Sequence, residues 1–165
     1  MTRSGIDDVV AHLRDAREDY RLGLAFFRRR QWRSAARHFG LADRKSRRDD
    51  DHANLYRSYH GLSLIYCGDV SGLNLCRHAA GVENIKPGVF VNLVLAELRF
   101  RHRRRAWEAL CRGFDVDPDN PQLRKLARKM GVRRRPCLPF LKRAHPLNKW
   151  LGKVTYRRSK VSGRR

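Results

Sequence analysis

Residues 90–131 read FVNLVLAELRFRHRRRAWEALCRGFDVDPDNPQLRKLARKMG. Apolar residues recur here every three or four positions. They give two amphipathic helical patterns, 90–101 and 104–116, separated by a short basic break. The run DPDNP, residues 117–121, stops the second pattern and starts a third. Asn120 is placed to cap that third helix, and Pro121 falls at its first position, where a missing N–H costs nothing. Leu123, Leu126, Ala127 and Met130 share one face of it, Arg124, Lys125, Arg128 and Lys129 lie elsewhere, and Gly131 ends it. Two helices, a Pro-containing turn and a further helix are the unit of a helical repeat.

The same texture extends towards the N-terminus. Ser4 and Asp7 have capping-box spacing. Apolar residues then follow a 3.6-residue period at Ile6, Val9, Val10, Leu13, Ala16, Tyr20, Leu24 and Phe27. The pattern admits one long helix or two abutting ones. A break falls near Gln31–Ser34, after which Trp32, Ala35, Ala36, Phe39 and Ala42 mark a helix running to about Arg47. The polar run at residues 46–51 predicts a turn. A second pair follows, residues 52–66 and 70–81. Gly68 suits a left-handed helix end between them, and Asp69 suits a cap. A loop with Pro87 leads to the third pair.

The small and large residues of these pairs fall in one order. The first pair has Leu22-Gly23, Phe26, then Ala35, Phe39 and Ala42. The second has His60-Gly61, Leu64, then Leu73, Arg77 and Ala80. The third has Ala106, Leu110 and Gly113 before DPDNP. Over residues 15–131 this order resembles the tetratricopeptide repeats, of a bacterial type. That family sets a small residue where helix A meets helix B and small residues on helix B at the crossing. Arg77 departs from it where the family has a large apolar residue, and His60 departs where it has Leu. The third inter-helix turn looks about two residues short.

The resemblance implies an all-α array of about three antiparallel helix pairs with a capping helix. No pair can bury its stripe alone, so stacking must build the core. It also implies a protein-binding groove lined by the first helix of each pair. By repeat position the groove residues are Arg17, Tyr20, Leu24 and Phe27, then Ser58, Leu62 and Ile65. Residues 1–131 form the expected repeat domain and residues 132–165 a basic C-terminal extension.

The chain has 165 residues, enough to bury roughly 70% of its unfolded surface. Its formal net charge is +22. A charge of this size reads either as a solvated Arg-rich surface from a GC-rich genome or as the footprint of a polyanion partner. Residues 132–165 contain no Asp or Glu. Their basic residues include Arg133, Arg134, Arg135, Lys142, Arg143, Lys149, Lys153, Arg157 and Arg158. Apolar anchors alternate with them: Leu138, Phe140, Leu147 and Trp150. Three readings compete for this extension. It docks on the repeats, it binds RNA with Trp150 or Tyr156 stacking on bases, or it attaches to an anionic membrane.

Residues 1–8 lack the apolar run of a secretory signal, and no stretch approaches the ~20 apolar residues of a membrane span. A cytoplasmic location is expected. Cys67, Cys76, Cys111 and Cys137 form no CxxC pair, and buried thiols are expected. Cys76 and His78 offer two ligand types, but at no common zinc spacing. No phosphate-binding loop occurs, His102 sits in an Arg cluster, and His38, His60 and His78 lie on predicted helices without a carboxylate at a compelling spacing. Asp49, Asp50 and Asp51 form an acidic turn that could hold a cation with Asp43, but it reads better as balancing Arg44, Lys45, Arg47 and Arg48. The chain therefore reads as a non-enzymatic adaptor, without cofactor, metal or small-molecule substrate. A protein partner comes first, RNA second and an anionic membrane surface third.

Overall fold

Two helix starts in this protein, at Asp15 and Asn120, are capped by side chains that satisfy free backbone N–H groups. The computed structural model describes residues 15–47 and 49–131. Among the described residues there are seven helices and no strand. They are α1 (Ala16–Arg28), α2 (Trp32–Lys45), α3 (Ala53–Tyr66), α4 (Gly72–Val82), α5 (Pro87–Arg99), α6 (Arg103–Val116) and α7 (Pro121–Met130).

Asp15 starts α1. Its backbone is extended, at ψ 167°, and its carboxylate accepts from the N–H groups of Arg17 and Glu18. A single helix running through from residue 6 is thereby excluded. The Ser4–Asp7 capping pair lies outside the described residues. At α4, Asp69 accepts from the Ser71 N–H at 2.8 Å. The helix starts at Gly72 rather than Val70, and Val70 is 67% exposed instead of packed. At α5 the buried Glu83 accepts from the N–H groups of Asn84, Ile85 and Lys86 at 3.1, 2.8 and 3.0 Å. With Pro87 at the first position, α5 begins three residues before its apolar stripe. Asn120 caps α7 as expected, accepting from Gln122 and Leu123 at 3.1 and 3.2 Å.

One turn closes all three hairpins. In the first, the Gln31 N–H reaches the Phe26 carbonyl at 3.0 Å and the Arg30 N–H reaches Phe27 at 3.0 Å. In the second, Asp69 reaches Leu64 at 3.0 Å and Gly68 reaches Ile65 at 3.1 Å. In the third, His102 reaches Glu97 at 2.9 Å and Arg101 reaches Leu98 at 3.1 Å. This paired bonding is a Schellman helix ending, which needs a left-handed residue. The residues are Arg30 (φ 59°), Gly68 (φ 95°) and Arg101 (φ 60°). The third turn, at residues 100–102, therefore has the length of the first, at residues 29–31. It is not truncated; the second turn is the long one, because α4 starts late.

Successive helices pack side by side: α1 on α2, α2 on α3, α3 on α4 and α5 on α6. α5 also packs on both α3 and α4, joining the second hairpin to the third. The first helices of the hairpins run parallel. Tyr20, early in α1, meets Tyr56, early in α3, and Phe27 meets Tyr66 late in both. Ser58 of α3 meets Asn92 of α5 at 2.9 Å. All three closing turns therefore lie at one end of the array. Phe39, Leu62, Phe90, Leu110 and Leu123 are buried in the core, each contributing about 1.5–3 kcal/mol. No described helix is long and apolar enough to cross a membrane.

The closest helix approach is α3 on α4, where Gly61 and Gly72 face each other. A Cβ on Gly61 would lie 2.5 Å from the Gly72 carbonyl oxygen and 2.9 Å from the Cys76 sulfur. Backbone cannot give way there. Gly61→Ala is expected to cost about 1–3 kcal/mol, measured by urea denaturation. Gly81→Ala is the control, because nothing lies within 4 Å of its added Cβ. That change should be neutral or stabilising by up to about 1 kcal/mol.

Candidate binding surface

A file of aromatic rings runs along the face where α1 and α3 lie side by side. Phe39 and Tyr56 anchor it and are buried. Tyr20 stands 5.7 Å from Phe39, 5.0 Å from Tyr56 and 5.7 Å from Tyr59. Phe27 stands 5.6 Å from Tyr59 and 5.1 Å from Trp32, and Trp32 stands 4.5 Å from Tyr66. Tyr20, Phe27, Trp32, Tyr59 and Tyr66 are half-buried, so each keeps an edge open to solvent. Such tilted and edge-on pairs add about 0.5–1.5 kcal/mol each beyond their burial. Burial pushes the Tyr20, Tyr59 and Tyr66 hydroxyls up, with Arg28 opposing at Tyr20 and Tyr59 and Arg99 opposing at Tyr66. All three stay neutral hydrogen-bonding groups at physiological pH.

The seven residues expected to line a groove separate into two sets. Arg17 is exposed and bonds the Tyr56 hydroxyl, while Tyr20, Leu24 and Phe27 are half-buried along the aromatic file. Ser58, Leu62 and Ile65 are buried, and the groove assignment is corrected for these three. Ser58 donates to the Leu55 carbonyl at 2.8 Å and accepts from Asn92 at 2.9 Å. Their face of α3 is covered because α5 packs against it. Tyr59 and Tyr66 are the α3 side chains that remain accessible beside α1, and repeat position alone missed them. Arg133, Arg134, Arg135, Lys142, Arg143, Lys149, Lys153, Arg157 and Arg158 lie outside the described residues.

Buried and half-buried carboxylates link successive helices. Asp19 of α1 is buried and pairs with Lys45 of α2 at 2.7 Å, with His38 at 3.5 Å. Asp43 of α2 pairs with Arg57 at 3.1 Å and His60 at 3.4 Å, both on α3. Arg57 in turn stands 3.3 Å from His78 of α4. Arg77 of α4 grips the buried Glu97 of α5 through two bonds, 2.7 and 3.1 Å, and His102 adds a third at 2.8 Å. Two of the three histidines read as lacking a carboxylate, His38 and His60, thus have one, contributed by residues too far along the chain for spacing to reveal. The two departures from the repeat pattern, His60 and Arg77, are both partners in these pairs. Asp43 is engaged with α3, and Asp50 accepts from the His52 N–H at 2.8 Å.

Burial would raise the Glu97 carboxyl, but the bonds from Arg77 and His102 outweigh it and hold it below its ordinary value of 4.5. Its stabilising contribution is therefore complete above that value and is lost as pH falls through the lower folded-state value. Arg77 and His102 are 35% and 41% exposed, so solvent screens part of the pairing. Glu97→Gln should destabilise the protein by about 1–3 kcal/mol at neutral pH. The deficit relative to the parent should shrink below pH 4.5, read from denaturation midpoints across an acid series.

Cys76 is buried, donates to the Ser58 carbonyl at 3.4 Å and has its thiol pushed up to about 12 by burial and the Glu97 charge. It does not converge with His78, which is exposed beside Arg57. Cys67 and Cys111 are exposed, contrary to the expectation of buried thiols, because they sit at a turn and on the outer face of α6. Among the described residues no group of three or more His, Cys, Asp or Glu is arranged to hold a metal ion. An open groove of about 420 Å³ lies at the turn end, lined by Gln31, Trp32, Arg33, Ser34, Tyr66 and Cys67. A second, of about 690 Å³, lies at the opposite end between Asp15, Arg17, Lys45, Arg47, Asp49 and Asp50. Neither the protein-family models nor the curated proteins yield a match to this chain.

Proposed function

We propose that this chain is a non-enzymatic interaction adaptor of the tetratricopeptide type, acting in the cytoplasm and binding a protein segment on the α1–α3 aromatic face. The observation that carries this reading is the recurrence of one closing turn in three stacked hairpins. That turn stacks the first helices in parallel and leaves a continuous file of half-open rings. The rings offer apolar contact and neutral hydroxyls, and Arg17 and Arg28 stand exposed beside them. The complementary ligand is an extended peptide with an apolar anchor next to acidic side chains.

Selection of random peptides on the full chain should return that composition. Arg17→Glu combined with Arg28→Glu should weaken the selected peptide at least tenfold, about 1.4 kcal/mol, with the helical circular dichroism unchanged. Binding that survives this reversal would remove the face from consideration.

The charge of residues 132–165 supports a second reading, RNA binding by the basic extension. Ending the chain after Gly131 should then abolish most RNA binding and flatten its salt dependence. Retention of RNA on the shortened chain would count against the extension as the main site.

A further inference from the structure

The turn end of the array carries a charge pattern that neither the aromatic face nor residues 132–165 explain. The first turn presents Arg28, Arg29, Arg30 and Arg33. The third presents Arg99, Arg101, Arg103, Arg104 and Arg105. All are exposed. Parallel stacking of α1, α3 and α5 puts both groups at one end of the array. Little acidic charge answers them there. Asp69 is engaged by the Ser71 N–H and hydroxyl, and Glu108 pairs with Arg104 at 3.1 Å. Among the described residues, Arg29, Arg30, Arg33, Arg101 and Arg105 form no ion pair. The acidic residues 49–51, Glu83 and residues 115–119 lie at the other end of the hairpins.

Two of these arginines occupy the left-handed position of the turn, Arg30 at φ 59° and Arg101 at φ 60°. Glycine fills that position in the second turn without strain, as Gly68. Arginine gains nothing for the backbone there. It does place a guanidinium at the outermost point of the hairpin. Strained side chains at an exposed tip motivate a search for a ligand.

Beside these tips lies the groove of about 420 Å³ walled by Trp32 and Tyr66, whose rings are 4.5 Å apart, with Arg33 on its rim. Arg99 is near enough to favour the Tyr66 phenolate. We propose that this arginine-rich turn edge is a binding surface for single-stranded nucleic acid. Its guanidinium groups neutralise phosphates, and a base enters the groove against Trp32 and Tyr66. Basic tracks with aromatic platforms are how strands without sequence preference are held. A duplex keeps its bases stacked and cannot offer one to a recess. A membrane surface would need a cluster of protruding apolar side chains, and among the described residues this edge exposes two large ones, Val70 in the second turn and Trp107 one turn into α6. The proposal shares Arg28, Trp32 and Tyr66 with the protein-partner reading, and its test is kept separate by changing Arg30 and Arg101, which that reading does not use.

The test is the affinity of the full chain for a short fluorescent poly(U) strand, measured by anisotropy across a salt series. The variant is Arg30→Gly with Arg101→Gly. It removes two tip charges where glycine relieves backbone strain, so its melting temperature should equal or exceed the parent's. Affinity should fall at least tenfold. The slope of log affinity against log salt should flatten by about 0.7 for each phosphate that is no longer neutralised. Arg124→Gln with Arg128→Gln removes the same charge from α7 and should change affinity less than twofold. Equal losses from both variants, no loss from the tip variant, or no poly(U) binding by the parent chain would each overturn the proposal. So would a tip variant that loses binding to anionic vesicles but keeps poly(U). In a chain carrying Trp107→Phe and Trp150→Phe, poly(U) should quench the fluorescence of Trp32, and unchanged emission overturns the placement of a base in the groove.

Discussion

The paired hydrogen bonds that end α1, α3 and α5 are the constraint on which the rest of the structure depends. Each turn reverses the chain in the same way, because two carbonyls at the end of the first helix are satisfied by N–H groups three and five residues on. The reversal forces one residue into the left-handed region. Once three hairpins share it, their first helices stack in parallel and their tips collect at one end. The aromatic file, the buried carboxylates and the arginine edge are all consequences of that alignment.

Within the alignment, polar side chains take a role that apolar repeats usually leave to packing. Asp19, Asp43 and Glu97 each join one helix to a neighbour through basic partners. A buried carboxylate is costly unless paired and hydrogen-bonded. Glu97 meets that condition with three bonds, and His60 and Arg77 become intelligible as partners rather than as failures of an apolar pattern. Between them, Gly61 and Gly72 let α3 and α4 approach at backbone distance. A hairpin whose faces are joined by directional bonds has fewer ways to slide than one joined by apolar contact alone.

Two surfaces meet near Trp32 and Tyr66. One is the aromatic face, neutral and half-open, which fits an extended segment. The other is the turn edge, densely positive and served by few acidic residues. Net charge distributed evenly would serve solubility; the exposed arginines of the first and third turns, held at one end of a stacked array, create a field with direction. The binding roles proposed for the two surfaces call for ligands of different chemistry.

The helical class, the break positions, the cap at Asn120 and the left-handed Gly68 were legible in the chain itself. They depend on local periodicity and on side chains that act within a few residues of their own backbone. Asp69, by contrast, bonds the Ser71 N–H ahead of a helix that starts later than expected. The buried state of Ser58, Leu62 and Ile65 was not legible, because periodicity identifies an apolar stripe but not which neighbour covers it. The partners of His38 and His60 were hidden for the same reason, since Asp19 and Asp43 lie a helix away. Nor did repeat position reveal that Arg30 and Arg101 stand where Gly68 stands. Local sequence thus determined which segments are helices and where they stop. Only tertiary packing decided which faces stay open and where the charge collects, because burial and the electrostatic field are sums over elements far apart in the chain.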